Sequence, residues 1–170
     1  NLAEIAKTIR NYGAAKIDKY NHKRLGINSR LDALQAAVLR INLSYLDEWN
    51  AHRIRLGNLY LENLHRSIKV LQGADIDSVR HHFPILVNNP KEFMAYLLSH
   101  KVGSERHYPT SAAEAYSKLH NSVKSKVNVV SMKISRMTVS LPISQWHSTN
   151  DVELVCHVIN KGIKNREITI

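Results

Sequence analysis

Asn28-Ser29-Arg30-Leu31-Asp32-Ala33-Leu34-Gln35-Ala36-Ala37-Val38-Leu39 is the stretch whose reading decides the fold. Leu31, Leu34 and Val38 step by three or four, and Ile41 and Tyr45 continue the step. That spacing lines one face of an α-helix. Asn28 or Ser29 stands where an N-cap belongs, able to accept a hydrogen bond from a backbone N–H left over in the first turn. Leu46, Trp49, Ile54, Leu56, Leu59, Tyr60 and Leu64 carry the apolar face onward, so helical character spans 30–66. One straight helix of that length is long for a globular protein, and the pattern predicts a bend or break near 42–47.

Upstream, Lys23-Arg24-Leu25-Gly26-Ile27 runs into this helix start. Free backbone N–H groups at a helix start attract anions. Asn28 and Arg30 can both bond a phosphate, Arg30 through a charge-assisted bond. Spacing alone allows a second reading: Asn28 as a plain cap and Arg30 as a solvated first-turn side chain. Residues 14–28 are basic and irregular, with Lys16, Lys19, His22, Lys23 and Arg24 and the nearby tyrosines Tyr12 and Tyr20. Before them, Leu2, Ile5, Ala6 and Ile9 predict a helix over 2–10, with Gly13 placed to end it.

Downstream, the character changes after Gly73. Val79 to Val87 reads as a strand that Pro84 restricts to an edge or a bulge. Asn88-Asn89-Pro90 opens a helix carrying Phe93, Met94, Leu97 and Leu98 and stopping near Gly103. Residues 104–108 read as extended, and 111–119 and 124–135 as helical. Met137 to Leu141 alternates as a short strand ended by Pro142. Ser148 or Thr149 then caps a last helix, with Asp151 and Glu153 in its first turn. The expected fold class is α/β in the α+β sense: long helices followed by a small sheet covered by helices.

The 170 residues carry 24 Lys and Arg against 14 Asp and Glu, a formal charge of +10. That suits a partner bearing phosphates, whether nucleic acid or a phosphorylated small molecule. No nucleic-acid motif accompanies the charge, and no nucleic-acid partner is expected. No uncharged apolar run is long enough for a membrane helix, and residues 1–4 lack the pattern of a secretory signal. The chain starts inside a helical pattern and without methionine, so a longer parent protein is expected. The lone Cys156 lies in a helical apolar pattern and reads as a buried structural thiol. The ten histidines include no HExxH and no Cys/His cluster, so no metal site is expected. His81 and His82 are neighbours that a strand would send to opposite faces. No GxGxxG, Walker A lysine or GxSxG is present.

Residues 28–39 resemble the "NSRLDELQAAIL" signature of nucleotide-sugar aminotransferases, the DegT/DnrJ/StrS group. Arg10-Asn11-Tyr12-Gly13 resembles that family's "RNHG", with tyrosine in the usual histidine place. Leu46-Asp47-Glu48-Trp49-Asn50 with Arg53 resembles "LDEWNEARR". Val102-Gly103 and His107-Tyr108-Pro109 resemble the "IG…HYP" element, and Ser140-Leu141-Pro142 the "SLP" ending. The likeness runs from about Leu2 to the end of the chain.

The resemblance implies the C-terminal part of a fold-type-I aminotransferase that uses pyridoxal 5'-phosphate. Residues 1–45 would be the end of the large domain with the interdomain helix, and 46–170 the small C-terminal α+β domain. The family's Schiff-base lysine and its aspartate partner lie upstream, and no lysine here falls in the matching motif. Alone, the chain is therefore expected not to transaminate, because that lysine is both anchor and proton carrier. Asn28 matches the asparagine that reaches the cofactor phosphate of the other subunit in a homodimer, with Arg30 beside it. His107 and Tyr108 match the element on the sugar-substrate side, and Tyr20 and His22 lie in a loop that approaches the site. The implied protein is cytoplasmic and transfers an amino group, with glutamate as donor, to a nucleotide-linked keto-sugar in lipopolysaccharide or other surface-polysaccharide or amino-sugar synthesis. The alternative is a truncated, non-catalytic dimerisation or interaction domain of the same family.

Overall fold

Asp32, and not Asn28 or Ser29, caps the signature helix. Asn28 pairs with Asn11 in an isolated bridge, and the Ser29 N–H donates to the Arg10 carbonyl at 2.9 Å. Both residues are thus committed to the preceding loop, and the helix starts later. The Asp32 carboxylate accepts from the Leu34 N–H at 2.8 Å, and Gln35 Oε1 accepts from the Asp32 N–H at 3.4 Å. The reciprocal pair is a capping box.

The computed structural model describes residues 1–14, 20–71, 78–117 and 128–170. The chain divides into two compact units, Asn1–Leu46 and Asp47–Ile170. In the first, α1 (Leu2–Ile9) leads to a loop that folds back on residues 22–29. Tyr12 N–H donates to the Ile27 carbonyl, Ile27 N–H to the Ile9 carbonyl, and Lys23 N–H to the Gly13 carbonyl, all at 2.8–3.0 Å. Tyr12 and Gly13 both have positive φ, 60° and 75°. The signature helix α2 spans Ala33–Leu43. The expected break comes at Ser44-Tyr45, where Ser44 Oγ donates to the Ile41 carbonyl at 2.7 Å and takes an acceptor from the helical ladder. The helical pattern resumes as α3, Leu46–Asn63.

The second unit is built on a three-stranded antiparallel sheet, β1 (Lys69–Val70), β2 (Phe83–Leu86) and β3 (Thr138–Leu141), in that order. Pro84 therefore sits in the central strand, correcting the expected edge. The geometry explains how it fits. Ile85 pairs with Val139 and Phe83 with Leu141, while the Pro84 carbonyl faces the other way and accepts from the Leu71 N–H at 3.0 Å. The N–H that proline lacks would lie on that same β1 side, just past the last β1–β2 pair, Val70 with Ile85. No ladder bond to β3 is lost.

Helices α4 (Pro90–Ser99), α5 (Ala112–Ser117), α6 (Val129–Met137) and α7 (Thr149–Lys164) complete the unit. The helices expected at 111–119 and 124–135 lie partly outside the described residues. Of the expected extended stretch at 104–108, Glu105 forms a bridge to Ser140 on the free side of β3. Asn89 caps α4 and Ser148 caps α7, the latter in a capping box with Asp151.

One core joins the sheet to α3, α4 and α7. Leu56, Tyr60, Phe83, Ile85, Leu97, Val139, Val152 and Ile159 have no more than a trace of exposed surface. Each such large apolar side chain contributes about 1.5–3 kcal/mol by leaving water. On α7 the buried residues Val152, Val155, Cys156, Ile159 and Gly162 recur at helical spacing. The Tyr60 ring lies 4.7 Å from that of Phe83, and its hydroxyl donates to the Pro142 carbonyl at 2.8 Å. Tyr60 thereby fixes the turn that follows β3.

Candidate functional site

In the first unit, the loop that delays α2 also presents Asn28 and Arg30. Arg30 Nε donates to Asn28 Oδ1 at 3.2 Å, and the guanidinium lies over the Tyr12 ring, 5.5 Å from its centroid. The Asn28 oxygen is thus occupied by Arg30. Both residues are exposed. A cleft of about 390 Å³ adjoins Arg30, lined also by Arg10, Lys7, Asn11, Thr8 and Glu4. Lys7 is paired with Glu4 and the Thr8 hydroxyl donates to the Glu4 carbonyl, both at 2.8 Å, which leaves Arg10 and Arg30 as the cations that suit a phosphate. This donor set fits the phosphate end of pyridoxal phosphate.

Gly13 and Gly26 make the loop possible. A β-carbon on Gly13 would fall 1.7 Å from the Arg24 carbonyl oxygen, and one on Gly26 would fall 2.1 Å from the Gly13 nitrogen. The two strands of the loop are in backbone contact that no side chain could share. His22 belongs to this arrangement, its Nδ1 2.9 Å from the Tyr12 carbonyl oxygen and its backbone bridged to Ala14. Nδ1 must therefore carry the proton. Tyr20 is 78% exposed near the start of the returning strand.

His107 and Tyr108 belong to the second unit. Tyr108 is largely exposed and His107 half-buried, and their joining peptide is cis. Both line a cleft of about 480 Å³ with Pro84, Ser131, Ile134 and Thr138. The residue before them is a strut: Arg106 donates to the Ser135 and Arg136 carbonyls at 2.9 and 3.0 Å, tying this segment to the end of α6. The sites expected from sequence thus form two groups, Tyr20, His22, Asn28 and Arg30 in one unit, His107 and Tyr108 in the other.

Sequence reasoning missed a histidine cluster. His81 and His82 precede β2 and do not alternate across it. Their rings lie 4.3 Å apart, and His82 stacks on His107 at 3.9 Å with 15° between planes. The anchor is Arg53 of α3, which donates to the His81 and Ile143 carbonyls and to Gln145 Oε1 at 2.9–3.4 Å. Burial first, then the charges of His107, His81 and Arg53, hold His82 below the usual imidazole range. Adjacent histidines were visible in the sequence, but their meeting with a residue 25 positions away was not. Among the described residues no group of His, Cys, Asp and Glu is arranged to hold a metal ion. Cys156 is buried, and burial pushes its thiol up to about 12, so it is no thiolate nucleophile near neutrality. No helix among the described residues is long and apolar enough to cross a membrane.

The chain superposes on solved aminotransferases. It matches a DegT DnrJ EryC1 StrS aminotransferase from Brucella abortus with a TM-score of 0.79 and 28% identity, over 94% of this chain and 43% of that one. It matches Streptomyces venezuelae DesV with a TM-score of 0.79 and 31% identity, over 94% and 43% respectively. The fold is that of a pyridoxal-phosphate aminotransferase. In sequence, 162 residues are 36% identical to the dTDP-3-amino-3,6-dideoxy-alpha-D-galactopyranose transaminase of Aneurinibacillus thermoaerophilus, covering 94% of this chain and 44% of that protein. Residues 1–160 match the sequence profile of the DegT/DnrJ/EryC1/StrS aminotransferase family, and the chain belongs to that family. It spans less than half the length of the relatives named here.

Proposed function

We propose that this chain is the C-terminal part of a pyridoxal-phosphate-dependent aminotransferase that acts on a nucleotide-linked keto-sugar. The observation that carries the reading is the likeness to a dTDP-amino-sugar transaminase over nearly the whole chain. In the complete protein, a cytoplasmic homodimer, the first unit belongs to the large domain and interdomain helix and the second forms the small domain. The amino donor is glutamate, and the product feeds lipopolysaccharide, another surface polysaccharide or an amino-sugar pathway.

The cofactor, when bound, supplies the electron sink that makes amino transfer possible. This chain's part is to bind and orient. Asn28 and Arg30 donate hydrogen bonds to the cofactor phosphate of the partner subunit, and the stacking of Arg30 on Tyr12 fixes the guanidinium plane. His107 and Tyr108 face the sugar nucleotide from the second unit, with Arg106 holding their segment against α6. Tyr20 and His22, in the loop that carries Asn28, are the first unit's own candidates for substrate contact. The Schiff-base lysine and its aspartate partner come from outside these residues.

The test is an assay of the whole reading frame containing this chain, supplied with pyridoxal phosphate, glutamate and nucleotide-linked keto-sugars. Release of 2-oxoglutarate with at least one sugar supports the reading. A whole protein that binds no pyridoxal phosphate and shows no turnover overturns it. The second reading, a non-catalytic dimerisation domain, is favoured by α2, which buries none of its residues and leaves Leu34, Ile41 and Leu43 64–75% exposed. A whole protein that stays monomeric in light scattering would remove that reading.

A further inference from the structure

His81, His82 and His107 form a continuous run of rings, and they share a pocket of about 400 Å³ with His147, Ser140 and Glu105. His107 stands between this pocket and the cleft that Tyr108 lines. Two polar atoms of the lining residues are buried without a hydrogen-bond partner, His107 Nδ1 and Ser140 Oγ. Ser140 as a whole is only 5% exposed. A buried hydroxyl left unpaired is costly, and such groups in native proteins ordinarily find a ligand or a water. The Ser140 backbone is satisfied by its bridge to Glu105, so only the hydroxyl is left over.

We propose that this pocket binds a phosphate-type oxyanion, held by the Ser140 hydroxyl and by imidazole N–H groups of His82 and His107, and that the anion is taken up together with a proton. The proposal does not rest on the aminotransferase reading. Burial first, then His107 from the 104–108 segment, His81 beside it and Arg53 from α3, oppose protonation of the His82 ring. With no anion present, the His82 ring is therefore neutral near pH 7. An oxyanion reverses the balance, because its charge favours a protonated ring. Binding then takes up a proton, and affinity rises as pH falls. His147 adds a fourth imidazole, oriented by Ser144 Oγ at 2.7 Å from its Nδ1. Glu105 is the one carboxylate in the lining and opposes the anion. The overall charge of +10 favours anion entry.

The experiment is an NMR titration of the histidine ring protons in the 170-residue chain, with and without sulfate, which keeps its double charge where histidines titrate. Sulfate should move the titration of the His82 ring to higher pH. Its affinity should rise at least about fivefold between about pH 7.5 and about pH 5.5. Ser140→Ala removes a hydroxyl with no protein partner, so it should keep the fold and weaken sulfate by about fivefold or more. Glu105→Gln, at an exposed residue, should strengthen it. Competition by inorganic phosphate and by thymidine diphosphate identifies the source of the anion. Displacement of sulfate by the diphosphate at about tenfold lower concentration makes it a nucleotide's phosphate, and equal displacement makes it a free oxyanion. Histidine shifts that ignore sulfate at every pH, or sulfate binding unchanged by both substitutions, would overturn the proposal.

Discussion

The Arg80 side chain lies across Gly57 of α3: a β-carbon built on Gly57 would fall 2.1 Å from Arg80 Cδ and 2.7 Å from its Nε. Arg80 is 7% exposed and holds a positive φ of 50°, so it has little room to retreat. In an open helix Gly→Ala stabilises by about 1 kcal/mol. Here overpacking should win, and Gly57→Ala should destabilise by roughly 1–3 kcal/mol in denaturant melts. Adding Arg80→Ala removes the obstacle, so the double variant should recover about 1 kcal/mol or more relative to additivity. Additive losses would show that Arg80 and Gly57 are not coupled.

Gly13 gives a second, independent prediction. Its φ of 75° and its contact with the Arg24 carbonyl both exclude a side chain. Gly13→Ala should cost about 1–3 kcal/mol and open the loop that carries Asn28. Hydrogen exchange should report it as faster exchange at the Tyr12, Lys23 and Ile27 amides, the donors that close the loop. Unchanged protection at all three would mean the loop tolerates the side chain.

Much of this was legible in the sequence because the signals were local. The helical face of 30–66, its break, the Asn89-Pro90 start of α4 and the Ser148 cap with Asp151 each depend on residues within a few positions. What could not be read depends on residues far apart. Pro84 looked like an edge residue until its carbonyl was seen to face Leu71. Asn28 looked like a cap until its bridge to Asn11 assigned that role to Asp32. His81 and His82 looked like opposite faces of a strand, yet the strand begins after them and His107 arrives from another segment. The likeness to the family picked out Asn28, Arg30, His107 and Tyr108, and the geometry adds Tyr12 and Arg106 as their supports.

Asn28 and Arg30 should act as a pair in the complete protein. Asn28 holds the guanidinium through Arg30 Nε, and Tyr12 holds its plane. Removing a donor to a phosphate costs roughly 1.5–3 kcal/mol, so Asn28→Ala and Arg30→Ala should each weaken pyridoxal phosphate by about tenfold or more. Arg30→Lys keeps the charge but loses the fork and the stacking, so it should recover only part of the loss. Cofactor titration followed by absorbance measures this directly. An Arg30→Lys variant with unimpaired affinity would reduce Arg30 to a simple point charge.

Stability should fall on acidification in two separate windows. Burial and the neighbouring His107, His81 and Arg53 hold the folded-state pKa of His82 below the usual 6.5. Between that lowered value and 6.5 the unfolded chain binds more protons than the folded one. The His82 contribution is therefore complete above pH 6.5, declines as pH drops toward the folded value, and is lost below it. Asp151 acts further down. The Ser148 N–H and hydroxyl hold its carboxyl below the usual 3.8, so its contribution is complete above that pH and is lost as pH falls through the folded value. Urea melts at stepped pH should show both declines in the native chain. His82→Gln should flatten the first and leave the second, and Asp151→Asn should do the reverse. A first decline that survives His82→Gln would assign it to another of the ten histidines.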